Sequence, residues 1–404
     1  MTRQSRSRDL TLLDRPLPAP PEALRRGPFR NADAAPSAVH DVRSAALLGR
    51  ALGVLVAICF GTGLISHLHQ NPVSWFDLPS RPVWGYQVTQ GLHVICGIAC
   101  VPLVLAKLWV VYHRFFTWPP ARTVGHALER LLIAPLVAGM LFEVTSGLLN
   151  IVQWYPWPFF FPRVHWAVAW VVAGSLLVHL AIKAPQIRQG LRRTVVDEAV
   201  PDPEAVPDPD RRALLLGVAG AVGTVTVLTA GQTVRPLRGI SVLAPRDPAV
   251  GGQGLPVNRT AAAAGIGSLA TDPRWRLVVA GPRPLSLTLA ELAAMPQFDA
   301  VLPIACVEGW SASATWSGVR LADLLDRAGV PADRHLRAVS LEQASWLFAA
   351  SPLGPSAARD PLTLLALRLN GEPLSLDHGY PVRLIAPNRP GVQQTKWLSR
   401  IEVV

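Results

Sequence analysis

Leu302-Pro303-Ile304-Ala305-Cys306-Val307-Glu308-Gly309-Trp310-Ser311 is followed by Trp316-Ser317-Gly318-Val319 and then by Leu321-Ala322-Asp323-Leu324-Leu325. The short apolar run reads as a strand, and it delivers a lone cysteine to a Gly-Trp turn. The leucine-rich run after it reads as an amphipathic helix. A soft thiolate at a strand end is a good ligand for a transition metal. Cys59, Cys96 and Cys100 fall inside apolar segments and read as small buried residues. Four cysteines so distributed do not make a disulfide framework.

Three further blocks follow in order: Asn370-Gly371-Glu372-Pro373-Leu374, then His378-Gly379-Tyr380-Pro381-Val382-Arg383-Leu384-Ile385-Ala386-Pro387, and finally the closing Gly391–Val403 stretch with Lys396-Trp397-Leu398. Together with the Cys306 stretch they resemble the molybdopterin-binding domain of the sulfite oxidase family. The resemblance covers residues 250–404. It implies a molybdopterin-dependent oxidoreductase in which Cys306 ligates molybdenum and is the catalytic residue. Arg383 and Lys396 match the family's anion-binding positions, and Gln394 and Thr395 supply polar contacts beside Lys396. His378 falls where the family places a His or Asn that bonds the cofactor. Asn258 resembles the asparagine that opens the fold against the pterin. A pterin phosphate needs such cations and donors around it. The family's C-terminal dimerisation domain is expected to have no counterpart here.

One departure bears on the substrate. Sulfite oxidases place arginines close to the molybdenum cysteine, whereas Cys306 has Ala305, Val307, Glu308 and Gly309 as neighbours. Glu308 would repel a dianion if it faced the metal. The substrate is therefore expected to be a small molecule other than sulfite.

The chain has 404 residues, room for two or three domains, and half of them are hydrophobic, which suits a membrane protein. Apolar segments lie at 46–66, 88–112, 130–152, 163–184 and 213–234. Each is about long enough to span a bilayer. Before them, residues 1–45 read as a disordered cytoplasmic tail, with no cleavable signal peptide. Residues 185–212 read as a cytoplasmic linker, 235–257 as a Pro- and Gly-rich tether, and 258–404 as a mixed α+β domain. Strands are expected at Trp275–Ala280, Ala338–Leu341 and Val382–Ala386, and helices at 288–294 and 320–328. The fold class is thus a multi-domain membrane protein: an all-α bundle of four transmembrane helices, a fifth anchor helix, and a C-terminal α+β domain.

The net charge of +11 is placed in loops. The tail, the loop after the second segment and the linker before the fifth are rich in Arg and Lys, while the other two loops carry Arg81 and Arg163 alone. This puts the N-terminus in the cytoplasm and the C-terminal domain outside the cell membrane. There is no basic-aromatic interleaving, so no nucleic-acid partner is expected. Asp210-Arg211-Arg212-Ala213-Leu214-Leu215-Leu216-Gly217 resembles a twin-arginine export signal, a route suited to a domain that folds around its cofactor before crossing. No small-residue cleavage site follows, so the segment is expected to remain as an anchor.

Eight of the ten histidines precede residue 180. His165 and His179 stand fourteen residues apart, about 40° short of four full helical turns and about 21 Å along the axis. They share one face of the fourth segment, a spacing that suits stacked haems. Arg163-Val164-His165-Trp166 with His179 resembles the fourth helix of four-helix b-type cytochromes. His93 with His165 forms the leading axial pair, with His67 and His69 as competitors. Lys107 stands where a second histidine of the second helix would fall, so the two-by-two pattern of a dihaem cytochrome is broken; either His113 serves the inner haem or that haem is absent, giving one or two b haems. Glu143, inside the third segment, reads either as hydrogen-bonded packing, the favoured reading, or as part of a proton or quinone site.

The leading expectation is a membrane-anchored molybdenum oxidoreductase transferring an oxygen atom to or from an extracytoplasmic substrate. Its haem domain would exchange electrons with the quinone pool or another carrier. The arrangement is similar to bacterial methionine sulfoxide reductase systems, in which a haem membrane subunit serves a molybdenum subunit. The alternatives are the same enzyme on a haem-free anchor, or a catalytically silent binding module.

Overall fold

Unbroken apolar composition builds the first half of the chain. The computed structural model describes residues 14–18, 38–73, 75–116, 119–192, 209–345 and 347–404. Among the described residues, five helices are long and apolar enough to cross a membrane. They are α1 (Val42–Gln70), α2 (Gly85–Val111), α3 (Val124–Ile151), α4 (Phe161–Arg192) and α5 (Pro209–Ala230).

Several boundaries differ from expectation. Helix α4 continues through 185–192, which had read as linker. Pro185 sits inside it, so that proline marks no end. Helix α1 begins at Val42, within the expected tail, where Asp41 Oδ1 accepts from Ser44 N–H at 2.6 Å as an N-terminal cap. The rest of the tail, apart from residues 14–18 and 38–41, and linker residues 193–208 lie outside the described residues.

Spatially the chain divides into two units, Met1–Phe60 with Cys96–Thr226, and Gly61–Ile95 with Val227–Val404. In the first unit, Leu48, Leu103 and Val110 form one apolar cluster with Leu214, Leu215 and Val218. Val104, Met140 and Val172 form another. Several charged groups on these helices are partnered. Lys183 pairs with Glu129, Lys107 Nζ donates to the Ala45 carbonyl, and Arg211 Nη1 meets Asp41 Oδ2 at 3.2 Å. Arg211 of the twin-arginine-like pair is thus tied to the start of α1.

The second unit contains ten strands. They are β1 (Leu277–Val279), β2 (Leu285–Leu287), β3 (Phe298–Ala305), β4 (Ser311–Arg320) and β5 (Leu336–Ser340). The rest are β6 (Ala350–Leu353), β7 (Leu364–Leu369), β8 (Glu372–Pro373), β9 (Arg383–Ile385) and β10 (Leu398–Val403). One sheet runs β2-β1-β10-β5-β6, with β1 and β10 parallel. The other runs β3-β4-β7-β8, with β9 also on β7. Side chains alternate across a strand, and β7 buries both faces. Leu365 and Leu367 join Leu277, Leu324, Leu384 and Ile401 in one core. Leu364 and Ala366 join Leu302, Ile304, Trp316 and Ile385 in the other. The expected strands and the two expected helices are present, the latter as Leu289–Ala294 and Leu321–Arg327.

The expected tether is a packed part of this unit. Gln253 Nε2 donates to the Pro373 carbonyl at 2.8 Å, and its Oε1 accepts from Ser375 N–H at 2.9 Å. Asn370 Nδ2 donates to the Gln253 carbonyl, and Leu255 completes the second core. Proline and glycine content marks the lack of regular structure there. It does not mark a lack of packing, because backbone groups and one long amide are enough to fix an irregular segment.

The α1–α2 connection also belongs to this unit. Arg81 grips the buried carboxylate of Asp360 with two bonds of 2.9 Å. Asn388 accepts from Tyr86 N–H at 2.6 Å and donates to the Pro79 carbonyl at 2.7 Å. Asp77 Oδ2 accepts from Ser356 N–H at 2.7 Å. Bidentate bonds to a buried carboxylate are the ones that carry energy. Asp360→Ala is therefore expected to destabilise this unit by about 2 kcal/mol, read as a lower melting temperature of the full chain. An unchanged melting temperature would mean the clamp carries nothing.

Candidate active site at Cys306

The β3–β4 ladder positions the cysteine. Ala305 faces Ser311, and Cys306 N–H donates to the Trp310 carbonyl at 2.9 Å. The chain then turns within Cys306–Trp310, closed by Gly309 N–H on the Cys306 carbonyl at 3.0 Å. Gly309 has a φ of 98°, and a Cβ there would meet Val94 Cγ1 at 2.8 Å and Gln232 Nε2 at 2.9 Å. Both conformation and space therefore require glycine at this position.

Cys306 is partly exposed, and its sulfur accepts from Asn258 Nδ2 at 3.1 Å. The surrounding protein, and after it the Glu308 charge, push the thiol up to about 12. The same Asn258 Nδ2 donates to Glu308 Oε2 at 3.0 Å. Trp310 Nε1 donates to that oxygen at 3.2 Å, and Arg246 Nε lies 3.6 Å from it. The buried Glu308 carboxylate is thus gathered by three donors, one of them cationic. Arg246, from the expected tether, was missed in the sequence because sixty residues separate it from its partner.

A second cluster surrounds His378. Its Nε2–H donates to the Gly252 carbonyl at 2.6 Å. Burial, and after it the charge of Arg383, pushes the imidazole down to about 4, so it is neutral. Lys396 Nζ donates to the carbonyls of Arg259 at 2.6 Å and Asp377 at 2.8 Å. Burial, and then Arg383, lowers Lys396 to about 7. Arg383 Nη1 donates to the His378 carbonyl at 3.3 Å, and the guanidinium lies over the Trp316 ring. Gly379, at a φ of 112°, is where this corner closes, since a Cβ would press on Arg383 and Lys396 at 3.2 Å.

Asn258 and Arg259 link the two clusters. The first reaches Cys306 with its side chain, and the second gives its carbonyl to Lys396. The other sequence candidates sit differently. Gln394 spends both ends of its amide on the Ala386 backbone, at 2.8 Å each. Thr395 Oγ1 bonds Ser351 Oγ at 2.6 Å in a buried position. Both side chains brace the loop around the Lys396 corner.

Whether these residues suit an anionic cofactor can be tested on their buried nitrogens. Arg383 Nε and Arg389 Nη1 are buried without a hydrogen-bond partner among the described residues. Burial lowers both guanidinium groups to about 9. Buried cations with unused donors fit an anionic group. Among the described residues no three His, Cys, Asp or Glu side chains form a metal cluster of their own, so a metal here would need a ligand beyond the protein.

The helix histidines have local partners. His165 Nε2 meets Glu143 Oε2 at 2.9 Å, and its Nδ1 meets Ser146 Oγ at 3.2 Å. Both ring nitrogens are thereby engaged, and Glu143, which sequence left as packing, has a partner from α4. The signal was there: two costly polar residues on adjacent apolar helices. His93 Nδ1 lies 3.2 Å from Thr62 Oγ1. His179 is within electrostatic reach of Lys107, Lys183 and Glu129.

Residues 266–404 match the family described as the oxidoreductase molybdopterin binding domain. The match covers the C-terminal α+β domain and not the five helices. The chain is similar to mitochondrial sulfite oxidase of Drosophila melanogaster, at 36% identity over 30% of this chain and 26% of that one. It is also similar to the uncharacterized oxidoreductase YuiH of Bacillus subtilis, at 33% identity over 32% of this chain and 65% of that one. A third relative is YedZ1 of Azospira oryzae, a candidate protein-methionine-sulfoxide reductase subunit. It is 34% identical over 29% of this chain and 43% of its own length. The chain thus spans less than two thirds of each of these relatives. The C-terminal part carries a molybdopterin-binding oxidoreductase domain of the sulfite oxidase type.

Two outcomes follow from this geometry. Gly309→Ala is expected to destabilise the domain by about 2 kcal/mol or more, measured by thermal unfolding. The second concerns His378, whose folded pKa is about 4 against 6.5 for the ordinary imidazole. The unfolded chain binds the proton first, so stability is full above about 6.5 and falls as pH drops toward 4. The loss is on the order of 3 kcal/mol. His378→Gln is expected to flatten that part of the stability–pH curve, and an unchanged slope would assign it to other groups.

Proposed function

We propose that this protein is a membrane-anchored molybdenum-cofactor oxidoreductase that acts on a small extracytoplasmic substrate by oxygen-atom transfer. The observation that carries the reading is the partly exposed Cys306 sulfur on a rigid turn, in a domain whose buried Arg383 and Arg389 hold unused N–H donors. When bound, the molybdopterin group would supply two-electron oxygen-atom chemistry. Cys306 would ligate the metal, and metal binding is what converts a thiol of raised pKa to a thiolate. Arg383 and Lys396 would hold the pterin's phosphate end, where a bound anion would return Lys396 to its charged form. Asn258 orients the Cys306 sulfur, and His378 shapes the cofactor side as a neutral ring held on the Gly252 carbonyl. With its carboxylate gathered by Asn258, Trp310 and Arg246, Glu308 is restrained beside the metal position, and a substrate other than sulfite remains the reading.

The membrane part of the proposal rests on the five apolar helices among the described residues and on the charges of the loops between them. The C-terminal end of α1, the first turns of α2 and the residues after α5 share a unit with the catalytic domain. The topology, with the N-terminus cytoplasmic and the domain outside, rests on the Arg- and Lys-rich loops. Electron exchange with the quinone pool or another carrier through a b-type haem, held by His93, His165 and His179, belongs to the same proposal. A second reading, the same enzyme on a haem-free anchor, is favoured by the Glu143–His165–Ser146 interactions.

Metal analysis and a reduced-minus-oxidised optical spectrum of detergent-purified protein test both. Molybdenum near one atom per chain with a b-type haem band is the expected result. Molybdenum without that band would select the haem-free anchor. Folded protein with neither would overturn the enzyme reading in favour of a silent module. Cys306→Ser is expected to lower oxygen-atom-transfer activity by about a hundredfold or more, in line with loss of a metal ligand or its support.

A further inference from the structure

Helix α5 ends at Ala230, and the chain after it turns back along the helix instead of running away from it. Beyond a short 3₁₀ turn, Arg235–Ile240, Ser241 is buried against the last turn of α5. Its Oγ donates to the Val227 carbonyl at 2.8 Å and accepts from Gly231 N–H at 2.7 Å. Leu243 N–H donates to the Leu228 carbonyl at 2.9 Å. The last carbonyls of a helix have no partner within it, and the returning segment supplies partners for two of them. Gly231 makes the approach possible, because a Cβ there would meet Ser241 Cβ at 2.6 Å and Arg238 Cα at 2.7 Å.

The return carries apolar side chains back with it. Ile240, Val242 and Leu243 are 52%, 77% and 56% exposed. The bonds to Val227 and Leu228 put residues 241–243 level with the last turn of α5. That helix is apolar over Arg211–Ala230, 20 residues, which is about 30 Å and matches the hydrocarbon thickness of a bilayer. Leu228 stands just before its end, so the level of Val242 and Leu243 is the boundary between hydrocarbon and headgroups. Exposed apolar side chains packed so closely in sequence are unfavourable in water and favourable at that boundary. Cations precede them, as at the ends of membrane segments: Arg235 and Arg238 are exposed, and Arg238 Nε pairs with Asp247 Oδ1 at 2.6 Å.

We propose that residues 240–243 form a re-entrant apolar loop that inserts into the bilayer surface at the C-terminal end of α5, with lipid as its partner. This rests on the reading of the five helices as membrane spans, and the loop continues the lipid-facing surface of α5. It also lies between two contacts to the Cys306 turn. On one side Ser311 N–H donates to the Gln232 carbonyl at 2.9 Å, and Thr233 Oγ1 donates to the Gly309 carbonyl. On the other side Arg246 Nε lies 3.6 Å from Glu308 Oε2. A lipid-held loop between these contacts places the Cys306 turn beside the membrane surface.

The test uses the full chain in nanodiscs of phosphatidylethanolamine and phosphatidylglycerol, with the photo-crosslinker p-benzoylphenylalanine in place of one residue at a time. The positions are Val242, with Leu243 as a second should the first fail to fold, Leu216 within α5, and Val301. Val301 is 66% exposed and so matches Val242 in type and exposure, but it lies on β3, about 16 Å along the strand from Cys306. After irradiation, adducts are identified by peptide mass. Lipid adducts at Val242 or Leu243 are expected to exceed those at Val301 by about fivefold or more, and to approach the yield at Leu216. Adducts at Leu216, with neither loop position above the Val301 level, would overturn the proposal and leave the membrane reading standing. Cross-links from the loop to a second copy of the chain, in place of lipid, would overturn it in favour of a protein interface. No lipid adduct at Leu216 would overturn the membrane reading itself, and this proposal with it.

Discussion

A backbone turn tight enough to present a single sulfur cannot satisfy all of its own polar groups, and the rest of this structure is arranged around that constraint. The carbonyls of Val307 and Gly309 and the amide of Ser311 are partnered by Gln90, Thr233 and Gln232. A buried backbone group left alone costs about as much as a lost hydrogen bond. The segments that bring these partners, the start of α2 and the residues after α5, are consequently locked to the hairpin. The clamps at Arg81–Asp360 and at Asn388 belong to the same arrangement, since they hold the α1–α2 connection in place over the second unit.

Electrostatics divide the site into two halves of different character. Around Cys306 the balance is a carboxylate with its donors: Glu308 beside Asn258, Trp310 and Arg246. Around His378 the balance is cationic, with Arg383 and Lys396 served by carbonyls and an aromatic face. Carbonyls and ring faces stabilise a cation only in part, so burial still lowers both groups. An anion placed there would favour the charged form of both. The metal-ligand half and the anion half are joined by two consecutive residues, Asn258 and Arg259.

Within the helices, costly polar groups answer one another. Glu143 and His165 pair across α3 and α4, and Lys183 pairs with Glu129. A carboxylate and an imidazole on apolar helices each carry a desolvation penalty, which mutual pairing reduces. The fourteen-residue spacing of His165 and His179 is a property of any regular helix. Which partner each ring has is decided by the helix opposite.

Local rules were enough for much of the chain. Apolar runs longer than a bilayer is thick marked the five helices. The Cys306 hairpin followed from a short apolar run ending in Cys-Val-Glu-Gly-Trp, and Gly309 there has a φ that only glycine takes easily. The ordered blocks around Cys306, His378, Arg383 and Lys396 located the site because each carries its own turn or strand chemistry. What depended on residues far apart was decided only by tertiary structure. The Pro- and Gly-rich stretch before residue 258 packs because Gln253 and Leu255 find partners more than forty residues away. Arg246 reaches Glu308, Glu143 reaches His165, and Gln90 reaches Val307 across 217 positions. Composition reports what a segment can do alone, whereas a hydrogen bond to a distant carbonyl depends on where the chain returns, and that is set by packing of the whole unit.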